Sequence, residues 1–73
     1  MNVYLLIISP KYDPLDLEII VFDKYGSAVK ELKEYVDIPP ETNDEDLLRE
    51  QFEDFHGEHI WWIEDHEVKK ITS

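Results

Sequence analysis

The amino-acid sequence predicts an α+β fold: a small antiparallel sheet of three to four strands, in the order β-β-α-α-β-β, with two helices packed on one face. Apolar, β-branched runs lie near both ends of the chain, at residues 3–8, 17–22 and 59–64. Between these runs, apolar residues recur at three- and four-residue spacing, which is the period of an amphipathic helix. Strands at both ends with helices between them favour helices that cover one face of the sheet. The chain of 73 residues is expected to form a single acidic domain over residues 1–73.

The first 22 residues predict a β-hairpin with a long loop. The segment VYLLII, residues 3–8, has no polar side and suits a central strand. The segment LEIIVF, residues 17–22, is rich in β-branched residues and suits its antiparallel neighbour. Residues 9–16 contain two prolines and turn-forming residues, which predicts the connecting loop.

A helix is predicted over residues 24–36. Its apolar stripe is formed by Tyr25, Ala28, Val29, Leu32, Tyr35 and Val36. Asp23 is the candidate N-cap, because its side chain can accept a hydrogen bond from the first turn. Two prolines, Pro39 and Pro40, follow the helix and predict a rigid connector.

The acidic segment ETNDEDLLREQFEDFHGE, residues 41–58, predicts a second helix over residues 43–56. Thr42 and Glu45 have the spacing of a capping box, and Gly57 suits the C-terminal stop. The apolar stripe of this helix would be formed by Leu47, Leu48, Phe52 and Phe55.

The end of the chain predicts two further strands. HIWWIE, residues 59–64, is the third strand, Asp65-His66 is a turn candidate, and residues 67–72 are a possible fourth strand. Adjacent residues of a strand point to opposite faces of the sheet, so Trp61 and Trp62 are expected to lie on different faces. One indole would then anchor the core, and the other would be free for an interface.

The charge of the chain excludes several classes of partner. The formal net charge is −11, and residues 37–67 account for it because they hold twelve acidic residues and only Arg49 as a cation. Nucleic acid and anionic membranes would repel such a chain, so we expect it to bind neither directly. A basic protein is the complementary partner.

The sequence also predicts a cytoplasmic protein. The longest uninterrupted apolar run has six residues, whereas a membrane-spanning helix needs about 20. The basic start and long apolar stretch of a secretory signal are missing from this sequence. The chain has no cysteine and therefore no disulfide, which fits a reducing compartment.

The predicted acidic helix is the candidate binding site. Its outward carboxylates would lie ~5–6 Å apart, a spacing similar to that of successive phosphates, and would present acceptors to arginine and lysine. The candidate partner-binding residues are Asp44, Glu45, Asp46, Glu50, Glu53, Asp54 and Glu58, with Trp61 or Trp62 as an apolar anchor. Asp37, Glu41, Glu64, Asp65 and Glu67 would extend this surface.

Other chemistry finds little support in the sequence. His56 and His59 flank Gly57-Glu58, but this arrangement lacks the ligand number and spacing of a zinc site, so we predict no metal and no cofactor. The serines have no nucleophile motif, and the two glycines are not part of a phosphate-binding loop. We therefore predict that the chain is not an enzyme.

In size, acidity, lack of cysteine and α+β pattern, the whole chain resembles small phage-encoded inhibitors of bacterial defence, including anti-CRISPR proteins and DNA mimics. No motif carries this resemblance, so it implies no site residue. It implies a non-enzymatic inhibitor that binds a basic nucleic-acid-binding protein or ribonucleoprotein complex of host defence through a phosphate-mimicking surface.

Two alternatives remain open. The chain could be an immunity protein or antitoxin that neutralises a basic nuclease, because the same charge complementarity applies. It could also be a structural self-associating module, such as a homodimer, in which the acidic face provides solubility. Binding by charge mimicry should weaken as salt rises, whereas an apolar interface should be less sensitive.

Overall fold

The computed structural model describes residues 1–13, 15–48 and 50–68. The elements in chain order are strand β1 (Asn2–Pro10), strand β2 (Glu18–Phe22), helix α1 (Tyr25–Tyr35), a 3-10 turn (Asp44–Leu47), strand β3 (Phe52–Glu53) and strand β4 (His59–Glu67). The strands form an antiparallel sheet in the order β2-β1-β4-β3.

The continuous apolar run of β1 places this strand inside the sheet, next to β2 and β4. Ile7 lies opposite Ile19 of β2 on one side and opposite Trp62 of β4 on the other. Strands β1 and β4 pair along nine residues each, from Asn2 opposite Glu67 to Pro10 opposite His59. The predicted hairpin of β1 and β2 is confirmed, with its long loop.

Helix α1 packs on one face of the sheet through the predicted stripe. Ala28, Val29 and Leu32 are buried, and they pack in one core with side chains from β1 and β4. The core cluster consists of Leu6, Ile8, Ala28, Val29, Leu32, Val36, Leu47, Trp61 and Ile63. The Cα atoms extend only 16 Å along the shortest axis of the molecule, which corresponds to two layers of secondary structure.

The predicted second helix over residues 43–56 is wrong, and with it the predicted fold class of two helices on a sheet. In the described part of this segment, only Asp44–Leu47 forms a 3-10 turn. Leu48 makes a parallel bridge to Ile63, and β3 pairs with β4. Leu48 and Phe52, which pair along β4, are partly buried, whereas Phe55 stays 64% exposed. A helix would instead place like charges at four-residue spacing, which is unfavourable.

The predicted caps of both helices are also wrong. Helix α1 is preceded by Lys24 in extended conformation, without a side-chain capping bond, so Asp23 is not the N-cap. Asn43 precedes the 3-10 turn, again without a side-chain capping bond, and the Thr42 and Glu45 capping box is absent there. Gly57 has a φ of 68°, but it lies in the turn between β3 and β4 and ends no helix.

The turn predicted at Asp65-His66 does not form, because β4 continues through both residues to Glu67. The extra length of β4 is stabilised by the first residues of β1, since Asn2 and Val3 pair with Glu67 and His66. The predicted strand over residues 67–72 lies mostly outside the described residues. No helix in the described part of the chain has the length and apolar character needed to cross a membrane.

Candidate functional site

One face of the sheet is left uncovered by the described elements. Because successive residues of a strand point to opposite faces, the neighbours of the core residues Leu6 and Ile63 point away from α1. We call this surface the open face. It consists of Val3, Leu5, Ile7, Ser9, Ile19, Val21, Glu53, Ile60, Trp62, Glu64 and His66.

The open face is apolar at its centre. Ile7 is only 5% exposed, yet it is not part of the core cluster, because its neighbours on the open face shield it. Ile19 and Trp62 lie beside it on the adjacent strands. Adjoining apolar side chains of this kind, uncovered on a monomer, indicate an interaction surface.

Glu64 is a fixed carboxylate at the edge of this apolar centre. The indole Nε1 of Trp62 donates to its Oε2 at 2.7 Å, and the Nε2 of His66 donates to its Oε1 at 3.1 Å. The hydrogen bond from Trp62, followed by that from His66, lowers the pKa of Glu64 below its usual value. Glu64 is therefore ionised at neutral pH and held in one orientation.

A depression of about 440 Å³ lies beside this carboxylate. It is lined by Gln51, Trp62, Glu64, Asp65 and His66. An indole next to a fixed carboxylate is suited to a guanidinium group, which stacks on aromatic faces and pairs with carboxylates through two parallel hydrogen bonds. Each oxygen of Glu64 accepts one of the two bonds described above, which leaves lone pairs for a ligand.

The lysines of the described residues lie away from this depression. Within the described residues, Lys24, Lys30 and Lys33 belong to α1 or its cap and lie on the opposite side of the sheet. Lys11 follows β1, and its Nζ pairs with Glu53 at 2.7 Å. No lysine of the described chain therefore pairs with Glu64.

The predicted acidic residues do not form one row. Asp44, Glu45 and Asp46 lie in the 3-10 turn, which Leu47 anchors in the core. Asp44 pairs with Lys33 at 3.0 Å, and its carbonyl accepts a hydrogen bond from the hydroxyl of Tyr25.

The negative charge of this 3-10 turn affects the pKa of the neighbouring Tyr25. Burial, followed by the negative charges of Asp44, Glu45 and Asp46, raises the pKa of Tyr25 to about 12. The three carboxylates therefore act together on one side of the molecule, although they do not lie on a helix.

A second group of predicted residues lies at the turn between β3 and β4. Asp54 accepts hydrogen bonds from the Nδ1 of His59 at 2.8 Å and from the backbone N–H of Glu58 at 3.0 Å. Partial burial raises the pKa of Asp54, but these hydrogen bonds outweigh it, so that the net pKa is lowered. Asp54 thus stabilises the turn and is not free for a partner, whereas Glu58 and Glu50 are exposed.

The two tryptophans lie on different faces, as predicted. Trp61 is buried in the core and stacks on Tyr35 with ring centroids 4.7 Å apart. Its indole Nε1 has no hydrogen-bond acceptor among the described residues. Trp62 is half-buried on the open face, so it is the tryptophan that remains accessible to a partner.

His56 and His59 do not come together as ligands in this fold, because His59 is engaged with Asp54. Across the described residues, no group of three or more histidines and carboxylates is placed to hold a metal ion.

Sequence reasoning named Trp62 but gave Glu64 only a peripheral role, and it missed His66 and Gln51. The available signal was the two-residue alternation of β4, which places Trp62, Glu64 and His66 on one face. The predicted turn at Asp65 hid this alternation, because it ended the strand too early.

The chain was compared with models of protein families, with curated proteins and with solved structures, and none of them matches. The resemblance to small phage-encoded inhibitors therefore stays a prediction, which rests on composition and charge layout.

Proposed function

We propose that this chain is a non-enzymatic inhibitor that binds a basic nucleic-acid-binding protein or ribonucleoprotein complex and competes with its nucleic acid. The observation that carries the proposal is the fixed carboxylate of Glu64 beside Trp62 on an uncovered apolar sheet face. An arginine of the partner, which otherwise contacts a phosphate, would pair with Glu64 and stack on the indole.

The remaining acidic residues support the proposal through their long-range field. The net charge of −11 attracts a basic protein before contact and raises its association rate. Glu45, Asp46, Glu50 and Glu58 are exposed and make no ion pair within the described residues. These four carboxylates would steer the partner, whereas Glu64 and Trp62 would anchor it.

The apolar centre of the open face would add a hydrophobic contribution to the binding affinity, which charge alone does not provide. A partner that covers Ile19, Val21 and Trp62 would remove apolar surface from water, at roughly 25 cal/mol per Å². The proposed complex is therefore expected to keep part of its affinity at high salt.

Because the proposed target binds nucleic acid, the proposed site of action is the cytoplasm of the host cell, as for anti-CRISPR proteins.

The proposal is tested by capture and competition with matched variants. The immobilised chain is exposed to host lysate, and retained basic proteins are challenged with added duplex DNA or RNA. Glu64→Gln removes the fixed charge, and Glu34→Gln removes one charge from an exposed position of α1, on the other side of the sheet, so both variants have the same net charge.

We expect the parent chain to capture a basic nucleic-acid-binding protein that added nucleic acid displaces. Glu34→Gln should retain this protein, and Glu64→Gln should lose it. Trp62→Ala should lose the same protein. If Glu64→Gln and the parent retain the same proteins, or if nucleic acid displaces none of them, the proposed function is wrong.

A further inference from the structure

Strand β2 is an edge strand that lacks the usual protection. It pairs with β1 on one side, and no described residue pairs with its other side. The outward backbone groups of an edge strand can pair with a further strand, and most proteins block such pairing with lysine, proline or a bulge. The strand Glu18–Phe22 contains no lysine and no proline. Its outer edge is therefore able to accept another strand.

The side chains that β2 contributes to the open face are apolar and exposed. Ile19 is 52% exposed and Val21 is 61% exposed. Both lie on the same face as Trp62, so they continue the apolar centre of the open face to the edge of the sheet. A strand beside β2 would place every second side chain next to them. Apolar side chains suit these positions, because they would cover surface that is otherwise in water.

The other face of β2 borders a groove with negative charge. We call this depression of about 340 Å³ the acidic groove. Glu18 and Ile20 line it from β2, and Glu31 and Tyr35 line it from α1. The side chains that an added strand points to the helix face would therefore lie beside this groove.

The acidic groove is complementary to a cation. It is lined by the carboxylates of Glu18, Glu31 and Asp54 and by no lysine of the described residues. Asp54 is bonded to His59, but Glu18 and Glu31 make no side-chain hydrogen bond or ion pair within the described residues. Glu31 also lies one turn before the end of α1, where the helix dipole adds negative potential.

We propose that β2 accepts, as a fifth strand, an extended segment of the basic partner in which basic and apolar residues alternate. The two faces of the added strand then match the two sides of β2: its basic residues point to the acidic groove, and its apolar residues lie beside Ile19 and Val21. Backbone pairing provides affinity, and the alternating side chains provide specificity. The inference deepens the proposed function, on whose basic partner it rests.

Strand pairing brings a cation within reach of the groove. A residue opposite Glu18 in the added strand has its Cβ about 4.5–5.5 Å from that of Glu18. The four-carbon stem of a lysine at this position can lie along Ile20, which is exposed, while its ammonium pairs with Glu18. The charge of Glu31, which lines the same groove, attracts the same ammonium.

Charge decides against a second copy of this chain as the added strand. Two chains with a net charge of −11 each repel one another. Strand β2 also lacks the required pattern, because its residues on the helix face are Glu18, Ile20 and Phe22. Pairing between two copies of β2 would bring further carboxylates to the acidic groove and no cation.

The test is calorimetric titration of the full chain with synthetic peptides. The probe is acetyl-Lys-Val-Lys-Val-Lys-Val-Lys-amide, and the control is acetyl-Lys-Lys-Lys-Lys-Val-Val-Val-amide, which has the same composition and charge without the alternation. We expect the alternating peptide to bind at least about tenfold more tightly than the control. Its affinity should fall when salt is raised from about 50 to about 500 mM.

Hydrogen exchange followed by NMR reports on the strand pairing itself. The alternating peptide should slow the exchange of every second backbone amide of β2, those that do not bond to β1. A peptide attracted only by the net charge of the chain would leave these amides unprotected.

Matched variants locate the cationic contact. Glu18→Gln and Glu31→Gln should each weaken binding of the alternating peptide about fivefold. Glu34→Gln removes the same charge from an exposed position of α1 that does not line the acidic groove, and it should change the affinity less than about twofold. Circular dichroism checks that each variant is folded.

Several results would overturn the inference: equal binding of the two peptides, unchanged exchange in β2, or equal effects of Glu31→Gln and Glu34→Gln. A dimer of the chain alone that protects the β2 amides would also overturn it, because the added strand would then be a second copy. The titration contains no nucleic acid and no host protein. Peptide binding without capture of a nucleic-acid-binding protein would refute the proposed function alone, and capture without peptide binding would refute this inference alone.

Discussion

Replacing Leu47 by alanine should destabilise this protein more than its place in an irregular acidic segment suggests. Leu47 is 0% exposed and packs in the same core as Leu32 and Ile63. Leucine to alanine removes three carbon atoms, which at ~0.8 kcal/mol per buried methylene amounts to about 2.4 kcal/mol. The cavity adds to this cost, so we expect a loss of about 3 kcal/mol, within the roughly 2–5 kcal/mol range for buried leucines.

This loss is large for so small a domain. A core of this size supplies roughly 3–5 kcal/mol of net stability, so Leu47→Ala should leave about 1 kcal/mol. Urea unfolding, followed by far-UV circular dichroism and tryptophan fluorescence, measures the free energy of unfolding. The matched control is Leu15→Ala, because Leu15 is 96% exposed and should change stability by no more than about 0.5 kcal/mol.

The same pair of variants tests the structure of the acidic segment. If residues 43–56 formed a helix, alanine at position 47 would add helix propensity and offset part of the loss. In the 3-10 turn, the alanine provides no such benefit, and the full cost of the cavity remains. A Leu47→Ala protein within about 0.5 kcal/mol of the parent would refute the placement of Leu47 in the core.

Two further substitutions probe the turn between β3 and β4. Gly57→Ala should cost about 1–2 kcal/mol in urea unfolding, because Gly57 has a φ of 68°, which L-residues adopt with difficulty. Gly26→Ala is the control: it lies in α1 with no atom near its added methyl and should be neutral or slightly stabilising, so equal losses at both positions would contradict the turn geometry. The pKa of Asp54 is lowered in the folded protein, so its ionised form stabilises the fold at pH values above the ordinary pKa of 3.8. This contribution to stability is lost as the pH falls through the pKa of the folded protein. Asp54→Asn should therefore flatten the acid branch of a stability-against-pH curve, and a curve parallel to that of the parent would contradict the role of the His59 and Glu58 hydrogen bonds.

Several elements were predictable because their signal is local. The run of residues 3–8 has no polar side, and only a strand covered on most of its surface suits such a run. The spacing of Ala28, Val29 and Leu32 repeats with the helical period, and these residues are buried where α1 meets the sheet. Their pattern and their tertiary environment agree, so the sequence alone was sufficient.

The acidic segment was not predictable in the same way. Its four apolar residues fit a helical stripe about as well as they fit an irregular path along β4. Leu48 and Phe52 were decided by partners distant in sequence, since they pair with Ile63 and Trp61. A short strand of two residues has almost no pattern of its own, so its existence depends on the strand next to it.

The candidate site shows the same division. The sequence by itself determined the net charge, the region that carries it and the opposite directions of Trp61 and Trp62, because composition and strand alternation need no knowledge of the fold. Only the tertiary structure decided that α1 covers one sheet face, that the carboxylate of Asp54 is engaged in hydrogen bonds within a turn and that Glu64 is fixed beside Trp62. The reason is physical: the donors to both carboxylates lie within five residues of them in the chain, but they take these positions only because β4 runs unbroken to Glu67 and pairs with β1 and β3, which join residues far apart in the chain.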